Sequence, residues 1–513
     1  MDSIELSVFA SRIEAVCDEM GAVLKRVAFS PNIKDRLDFS CAVFDSRGEL
    51  CAQAAHIPVH LGSMAFAAKD IVRKMTWQPG DMVVLNDPYL GGTHLPDITL
   101  IAPLFLQRQL IGFVANRAHH ADIGASSPGS MPISSHLDEE GLLIPPTHLL
   151  KRDKEVTEVM RSILSTLQNP IESHGDFSAQ ISANRRGLKR LQELLEIMGV
   201  DNYRQALIAL NNYAAKIAEN SMHEIQSGIY EFMDVMDDDG QGNKNIQIKV
   251  SININEGKAH VDFNGTADQV KGNINCPLSV VAAAVFYVFR CFLPNNTPAC
   301  AGTFRHISLN APKGCLLNAQ RPAAVTAGNV ETSTRIVDVV MGAMAKAMRE
   351  KIPAASHGSM NNLAMGAEKN TQCKAWDYYE TIGGGMGASC LYNGLSGVQT
   401  HMTNTLNTPI EVLEMNYPLR VNKYALHDGS GGKGQHCGGE GLIRSYTLLQ
   451  DAHVTLLTER RVNKPWGINA QPGAVGENII NDKMFPAKGS AFLKAGDSVT
   501  IKTPGGGGYT KNK

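Results

Sequence analysis

Between Gly80 and Gly124 the chain carries two groups of side chains able to ligate a metal. His94 and Asp97 lie three apart, and His119, His120 and Asp122 follow from 25 residues after His94. Imidazole nitrogens together with carboxylate oxygens suit a divalent ion of borderline hardness. A His-x-x-Asp spacing also arises by chance, and a loop histidine often caps a helix or bonds at the surface. The setting favours the metal. Asp87 to Thr93 is a run rich in turn formers directly after the apolar Met82-Val83-Val84-Leu85, and functional side chains concentrate on loops held by a rigid scaffold.

The elements around these groups would have to bring them together. Asp97 to Phe105 and Gln109 to Ala115 read as strands joined by a turn at Gln107-Arg108-Gln109. If they pair antiparallel, Asp97 and His119 fall at the same open end. Upstream, Leu6, Phe9, Ile13, Val16, Met20, Val23 and Val27 recur at helical spacing over residues 3–28. A helix near 63–75 interrupts the strands and loops of about 38–145. A helical region follows at about 155–228, with Leu188, Leu191, Leu194, Leu195 and Met198 as its apolar stripe. Ile246 to Ile252 alternates strictly between apolar and polar within strands near 230–265, as an antiparallel sheet solvated on one face requires. The acidic Asp237-Asp238-Asp239-Gly240 reads as the solvated turn before it, with a Ca²⁺ loop as the lesser alternative. Helices near 279–292 and 332–350 precede a Gly-rich, strand-rich C-terminal third. The fold class is α+β, a large multi-layer composite of mixed or antiparallel sheets and helices. It divides into a metal-site region at 1–150, a helical region at 151–228 and a mixed α/β, Gly-rich region at 229–513, or forms one intertwined unit.

Composition bounds the function. The 513 residues are 43% hydrophobic and 19% charged, enough for large cores. Lys plus Arg number 48 against 50 Asp plus Glu, a net charge of −2 that gives no electrostatic case for nucleic acid or an anionic membrane. The longest apolar run, Val280 to Phe289, is ten residues, too short to span a bilayer. With acidic Asp2 and Glu5 at the start and no targeting signal, the expected location is cytoplasmic. Ten cysteines without a C-x-x-C pair read as scattered thiols, most of them buried.

The pattern NDPYLGGTHLPDITL, with HIPVHLGSM before it and ANRAHHADIG after it, resembles the hydantoinase B/oxoprolinase family. Further matches are SPNIKDRLDFSCAVFD (30–45), GNVETSTRIVDVVMGA (328–343), YETIGGGMGA (379–388), HMTNTLNTPIEVLE (401–414), GGKGQHCGGEGLIRSY (431–446), LLTERR (456–461) and TPGGGGY (503–509). The chain departs from the family only at its tail, where Thr510 follows Tyr509 in place of glycine. The family comprises the B-type subunits of ATP-dependent hydantoinases and lactamases, the matching half of 5-oxoprolinase, and the large subunit of acetone carboxylase.

The resemblance implies a metal held by His94, Asp97 and His119, with Asp38 as a further ligand and Asp35 as the lesser candidate. His120 and Asp122 then become the catalytic candidates beside it, orienting a ligand ring or facing substrate; the alternative is that both are surface groups beside a turn. The ion implied is Zn²⁺, Mn²⁺ or Fe²⁺, and it would lower the pKa of a water from about 15.7 toward about 7. The resemblance also implies an A-type subunit that binds ATP and phosphorylates the oxygen of a cyclic amide (hydantoin, 5-oxoproline or a lactam), in a hetero-oligomer such as A2B2. A carboxylase acting on an enolate and a non-catalytic scaffold of the ATP-dependent partner are the alternatives.

ATP itself is not expected here. No Gly-x-x-x-x-Gly-Lys-[Ser/Thr] run occurs, and Gly383 to Gly387, Gly429 to Gly434 and Gly505 to Gly508 read as sites of positive φ or close backbone passage. His56 and His60, flanking Pro58, either face the metal or are structural. Glu331, Thr332 and Arg335 read as the start of a helix, with substrate or subunit contact second, and Glu380 and His401 carry no catalytic expectation.

Overall fold

A computed structural model of the chain describes residues 2–55, 57–368 and 375–511. The expected α+β class is the one found: four sheets, each backed by helices or by another sheet. His56 lies outside the described residues.

The first sheet carries the metal-site residues. Its strands are β1 (Phe39–Asp45), β2 (Leu50–Ala55), β3 (Met82–Leu85), β4 (Asp97–Leu106), β5 (Gln109–His119), β6 (Thr147–Lys151) and β7 (Lys154–Glu155), in the all-antiparallel order β2-β1-β5-β4-β3-β6-β7. Both faces are covered, so its strands are apolar without alternation. Met82, Val84, Leu100 and Val114 meet the helices Ser3–Val27 and Pro170–Met198 on one face. Val83, Leu85, Ile101 and Phe113 meet the helix His60–Lys74 on the other.

The helix Ser3–Val27 is specified at both ends. Asp2 accepts from the Ile4 and Glu5 amides while Glu5 accepts from Asp2 N, a reciprocal cap, and Lys25 and Arg26 occupy the last turn where the helix dipole favours cations. The expected helical region resolves into Thr157–Leu164, Pro170–Met198 and Val200–His223, broken at Asn169-Pro170 and at Gly199.

The second sheet holds β8 (Gly228–Asp238), β9 (Lys244–Asn255), β10 (Lys258–Asp262) and β11 (Ile307–Asn310), in the order β11-β10-β9-β8. Ile246, Ile248, Val250, Ile252 and Ile254 are buried while the residues between them are not, as the alternation predicts. Their cover is the helices Leu278–Arg290 and Ser333–Ala347. The first of these also packs on His60–Lys74 at Gly62, where a Cβ would stand 2.7 Å from Phe286 Cδ2.

The C-terminal third forms two further sheets packed face to face. One holds β12 (Asn362–Ala367), β13 (Trp376–Glu380), β16 (Ala452–Leu457) and β19 (Lys488–Leu493); the other holds β14 (Leu419–His427), β15 (Gly441–Leu448), β17 (Glu477–Ile480), β18 (Lys483–Phe485) and β20 (Ser498–Lys502). Leu363, Met365, Leu448 and Ile501 lie in the core between them. The Gly-rich runs stack backbone on backbone: Gly506 N donates to Gly439 O and Gly439 N to Met386 O, and a Cβ on Gly438 would stand 1.9 Å from Gly506 O. Close passage, the second of the two expected reasons, therefore accounts for them. Among the described residues no helix is long and apolar enough to cross a membrane.

Candidate metal centre

The hairpin of β4 and β5 sets the site. Gln107 and Arg108 both take positive φ, at 47° and 70°, which makes a tight turn and pairs Asp97 directly with His119 ten residues up the ladder. His94 is brought alongside by the loop before β4. Asn86 fixes that loop from within, donating to Leu95 O at 2.8 Å and Leu142 O at 2.9 Å while accepting from Ile144 N at 2.7 Å.

Among the described residues, His94, Asp97 and His119 form the one group of three acidic, imidazole or thiol side chains whose ligating atoms all lie within 4.8 Å of one another. The two oxygens of Asp97 have different surroundings. Oδ1 faces His94 Nε2 at 3.1 Å and His119 Nδ1 at 3.3 Å. Oδ2 accepts from Thr93 Oγ1 at 2.5 Å, faces His60 Nε2 at 3.3 Å and is reached by Asn329 Nδ2 at 3.5 Å. One oxygen is thus left to the histidines and the other is anchored by neighbours. Burial opposes the charge on Asp97, but His94 and His60 hold its carboxyl well below the usual range.

The donor set fits a divalent ion. The three side chains are at most 2% exposed, yet both ring nitrogens of His94 and Nε2 of His119 have no hydrogen-bond partner within the protein. Buried polar atoms are ordinarily paired, and two imidazoles with one carboxylate match known three-ligand sites that keep a position open. The His119 ring stacks on Tyr379 at 4.9 Å and 14°.

Asp38 stands beside this group but outside it. It is 7% exposed, and its carbonyl, rather than its carboxylate, accepts from His119 N at 3.0 Å. Asp35 closes the short helix Pro31–Lys34 and is only partly buried. His120 turns toward the helix Pro170–Met198, where Nε2 meets Gln180 Oε1 at 3.0 Å and the ring leans on Phe177 at 4.8 Å. Burial keeps this imidazole below its ordinary pKa, against Asp176 and Gln180. Asp122 accepts from Gly124 N at 3.0 Å and Asn169 N at 2.9 Å.

Several neighbours have only weak signals in the sequence. His60, open to two roles on sequence alone, heads the helix His60–Lys74 and joins Asp97 to Ser40, whose Oγ lies 3.0 Å from its Nδ1. Thr93 and Asn329 sit within matched motifs, but nothing in their spacing points to Asp97. Asn329 belongs to a π-helical turn, Gly328–Thr332, so the expected helix start at Glu331 is a bulge instead. Glu331 is fully buried in it. One oxygen accepts from Met360 N at 3.0 Å and Asn362 Nδ2 at 2.7 Å, and the other has no partner. Burial and repulsion from Glu459 push it up to about 8. Glu380 is instead the buried partner of Arg444, at 3.1 Å.

The family model for hydantoinase B/oxoprolinase matches residues 2–512. The chain is 37% identical over 553 residues to 5-oxoprolinase 1 of Arabidopsis thaliana, an alignment that covers 100% of this chain and 42% of that protein. It is 32% identical over 536 residues to the B-type subunit of a putative D-/L-hydantoinase of Pseudomonas sp. (strain NS671), covering 99% of this chain and 90% of the relative. The crystal structure of ATP-dependent caprolactamase from Pseudomonas jessenii superposes with a TM-score of 0.92 at 26% identity, over 99% of this chain and 91% of that one.

Proposed function

This chain belongs to the hydantoinase B/oxoprolinase family, and from that premise we propose that it is the B-type subunit of an ATP-dependent enzyme that opens a cyclic amide. The substrate class is a hydantoin, 5-oxoproline or a lactam, and the partner is a separate A-type subunit that uses ATP. The observation that carries the reading is the convergence of His94, Asp97 and His119, with unpartnered ring nitrogens, on one buried point. The relatives agree with it: one is a caprolactamase described as ATP-dependent, another the B-type subunit of a putative hydantoinase, and the 5-oxoprolinase holds the matching part within a chain of which this one spans 42%.

His94, Asp97 Oδ1 and His119 are assigned as the residues that hold a divalent ion, Zn²⁺, Mn²⁺ or Fe²⁺. Such an ion supplies Lewis acidity and makes water a competent nucleophile near neutral pH. Thr93, His60 and Asn329 fix Asp97 through Oδ2, and Tyr379 fixes the plane of the His119 ring. Burial keeps bulk water from an electrophile that the partner has activated. An unstrained amide resists attack because of its resonance, and phosphorylation of its oxygen removes that resonance. His120 and Asp122 are assigned to support roles beside this centre, at the chain segment that leaves β5.

The test is ATP-dependent ring opening of 5-oxoproline, hydantoin and caprolactam by the chain with an A-type partner. Asp97→Ala and His119→Ala should abolish turnover while the partner still binds ATP. Full turnover in either variant overturns the assignment.

A further inference from the structure

One residue beyond His119 the chain enters a second, separate environment. A cavity of about 290 Å³ opens between the segment after β5, the start of the helix Pro170–Met198 and the strand β13. Four carboxylates line it: Asp122, Glu172, Asp176 and Asp377. Two of them are stabilised as anions by backbone amides. Asp176 accepts from Phe29 N at 2.7 Å and Ser30 N at 3.1 Å, and Asp122 from Gly124 N and Asn169 N. Glu172 and Asp377 are buried among like charges, and burial followed by that repulsion pushes each up to about 7. Among the described residues no lysine or arginine forms an ion pair with any of the four. Carboxylates crowded in this way lack the positive charge that would balance them.

Two independent features point to a ligand. Ser30, 2% exposed, and Trp376, 8% exposed, both line the cavity, and neither Ser30 Oγ nor Trp376 Nε1 has a hydrogen-bond partner within the protein. The wall opposite the acids is aromatic: Phe29, Trp376 and Tyr417, with the last two rings 5.9 Å apart at 55°. The geometry disfavours a bare metal ion, because the only three-ligand group within 4.8 Å among the described residues is the one at His94, Asp97 and His119. Acidic groups spread around an aromatic wall are what an organic ammonium requires: N–H donors for several carboxylates, and a cationic face for the rings. The orphaned indole N–H calls for an oxygen acceptor on the same molecule.

We propose that this cavity binds a small primary amine bearing an oxygen acceptor, with its ammonium group among Asp122, Glu172, Asp176 and Asp377 and its oxygen at Trp376 Nε1. The proposal rests on this cavity alone and does not depend on the reaction assigned to the metal centre.

Calorimetric titration of the full chain with ethanolamine tests it, with Ca²⁺ as the competing cation. The wild type should bind ethanolamine saturably at one site, and Glu172→Gln and Asp377→Asn, which keep the shape of each side chain, should each weaken binding at least about tenfold. Trp376→Phe, which keeps an aromatic ring but removes the N–H, should weaken it less. An unchanged thermal unfolding profile in the variants shows that the fold is retained. Absence of saturable binding by the wild type, equal binding by both carboxylate variants, or stoichiometric displacement of ethanolamine by Ca²⁺ overturns the proposal.

Discussion

The division of labour between the two oxygens of Asp97 can be tested through Thr93. Its hydroxyl donates to Oδ2 at 2.5 Å, on the side away from His94 and His119, and the residue is fully buried. Thr93→Val keeps the outline of the side chain and removes only this donor. A hydrogen bond to an ionised carboxylate contributes about 1.5–3 kcal/mol. At about 1.4 kcal/mol per factor of ten, that predicts roughly a 10- to 100-fold loss of metal affinity. Loss of an outer partner at other metal sites costs the same order, about 10–100-fold. Two anchors of Oδ2 remain, His60 and Asn329, so binding should weaken and not vanish. Competition against a chromophoric chelator under buffered free metal reads the affinity directly. Thr93→Ser, which restores a hydroxyl, should recover most of it. Wild-type affinity in Thr93→Val, or a loss as complete as that in Asp97→Ala, would refute the reasoning.

Two stability predictions follow from buried groups elsewhere. Glu140 is fully buried, and although it accepts from Val325 N, Thr326 N and Ser134 Oγ, burial pushes it up to about 7. The folded state therefore holds a proton that the unfolded carboxyl, near 4.5, has lost, so stability should fall as pH rises from about 4.5 to about 7 and level off above. At about 1.4 kcal/mol per pH unit the share of Glu140 is on the order of 3 kcal/mol; Glu140→Gln should flatten that fall in urea denaturation, and an unchanged pH slope contradicts it. In the Gly-rich weave, a Cβ at Gly438 meets a backbone carbonyl that cannot yield, so Gly438→Ala should cost about 3 kcal/mol or more. Gly314, at φ +82° with open space around it, should cost only about 1–2 kcal/mol as alanine, and denaturation midpoints in the reverse order would be inconsistent with both accounts.

Local pattern carried much of the fold. The spacing of Phe9, Ile13 and Met20, the alternation from Ile246 to Ile252 and the turn at Gln107-Arg108 each depend on near neighbours, and each appears where the sequence places it. The hairpin reasoning also brings Asp97 opposite His119. The π turn at Gly328–Thr332 could not be read this way, because one extra residue in a helical turn leaves the apolar periodicity of Ile336 to Met341 intact. Nor could the partners of Asp97 Oδ2. Asn329 lies 232 residues away in sequence, and only the packing of the second sheet's helices against the first brings it near. Tyr379, stacked on His119, arrives from β13 in a third sheet. The same limit explains Asp38: a motif places its chain beside His119 but does not say whether its carbonyl or its carboxylate faces the centre.

The most direct test of the metal centre is elemental analysis of the purified chain beside His119→Ala, each before and after refilling with Zn²⁺, Mn²⁺ or Fe²⁺. The account predicts roughly one divalent ion per wild-type chain and its loss in the variant, since ligand identity and count decide retention. No ion in the refilled wild type, or equal metal content in the two proteins, would contradict it.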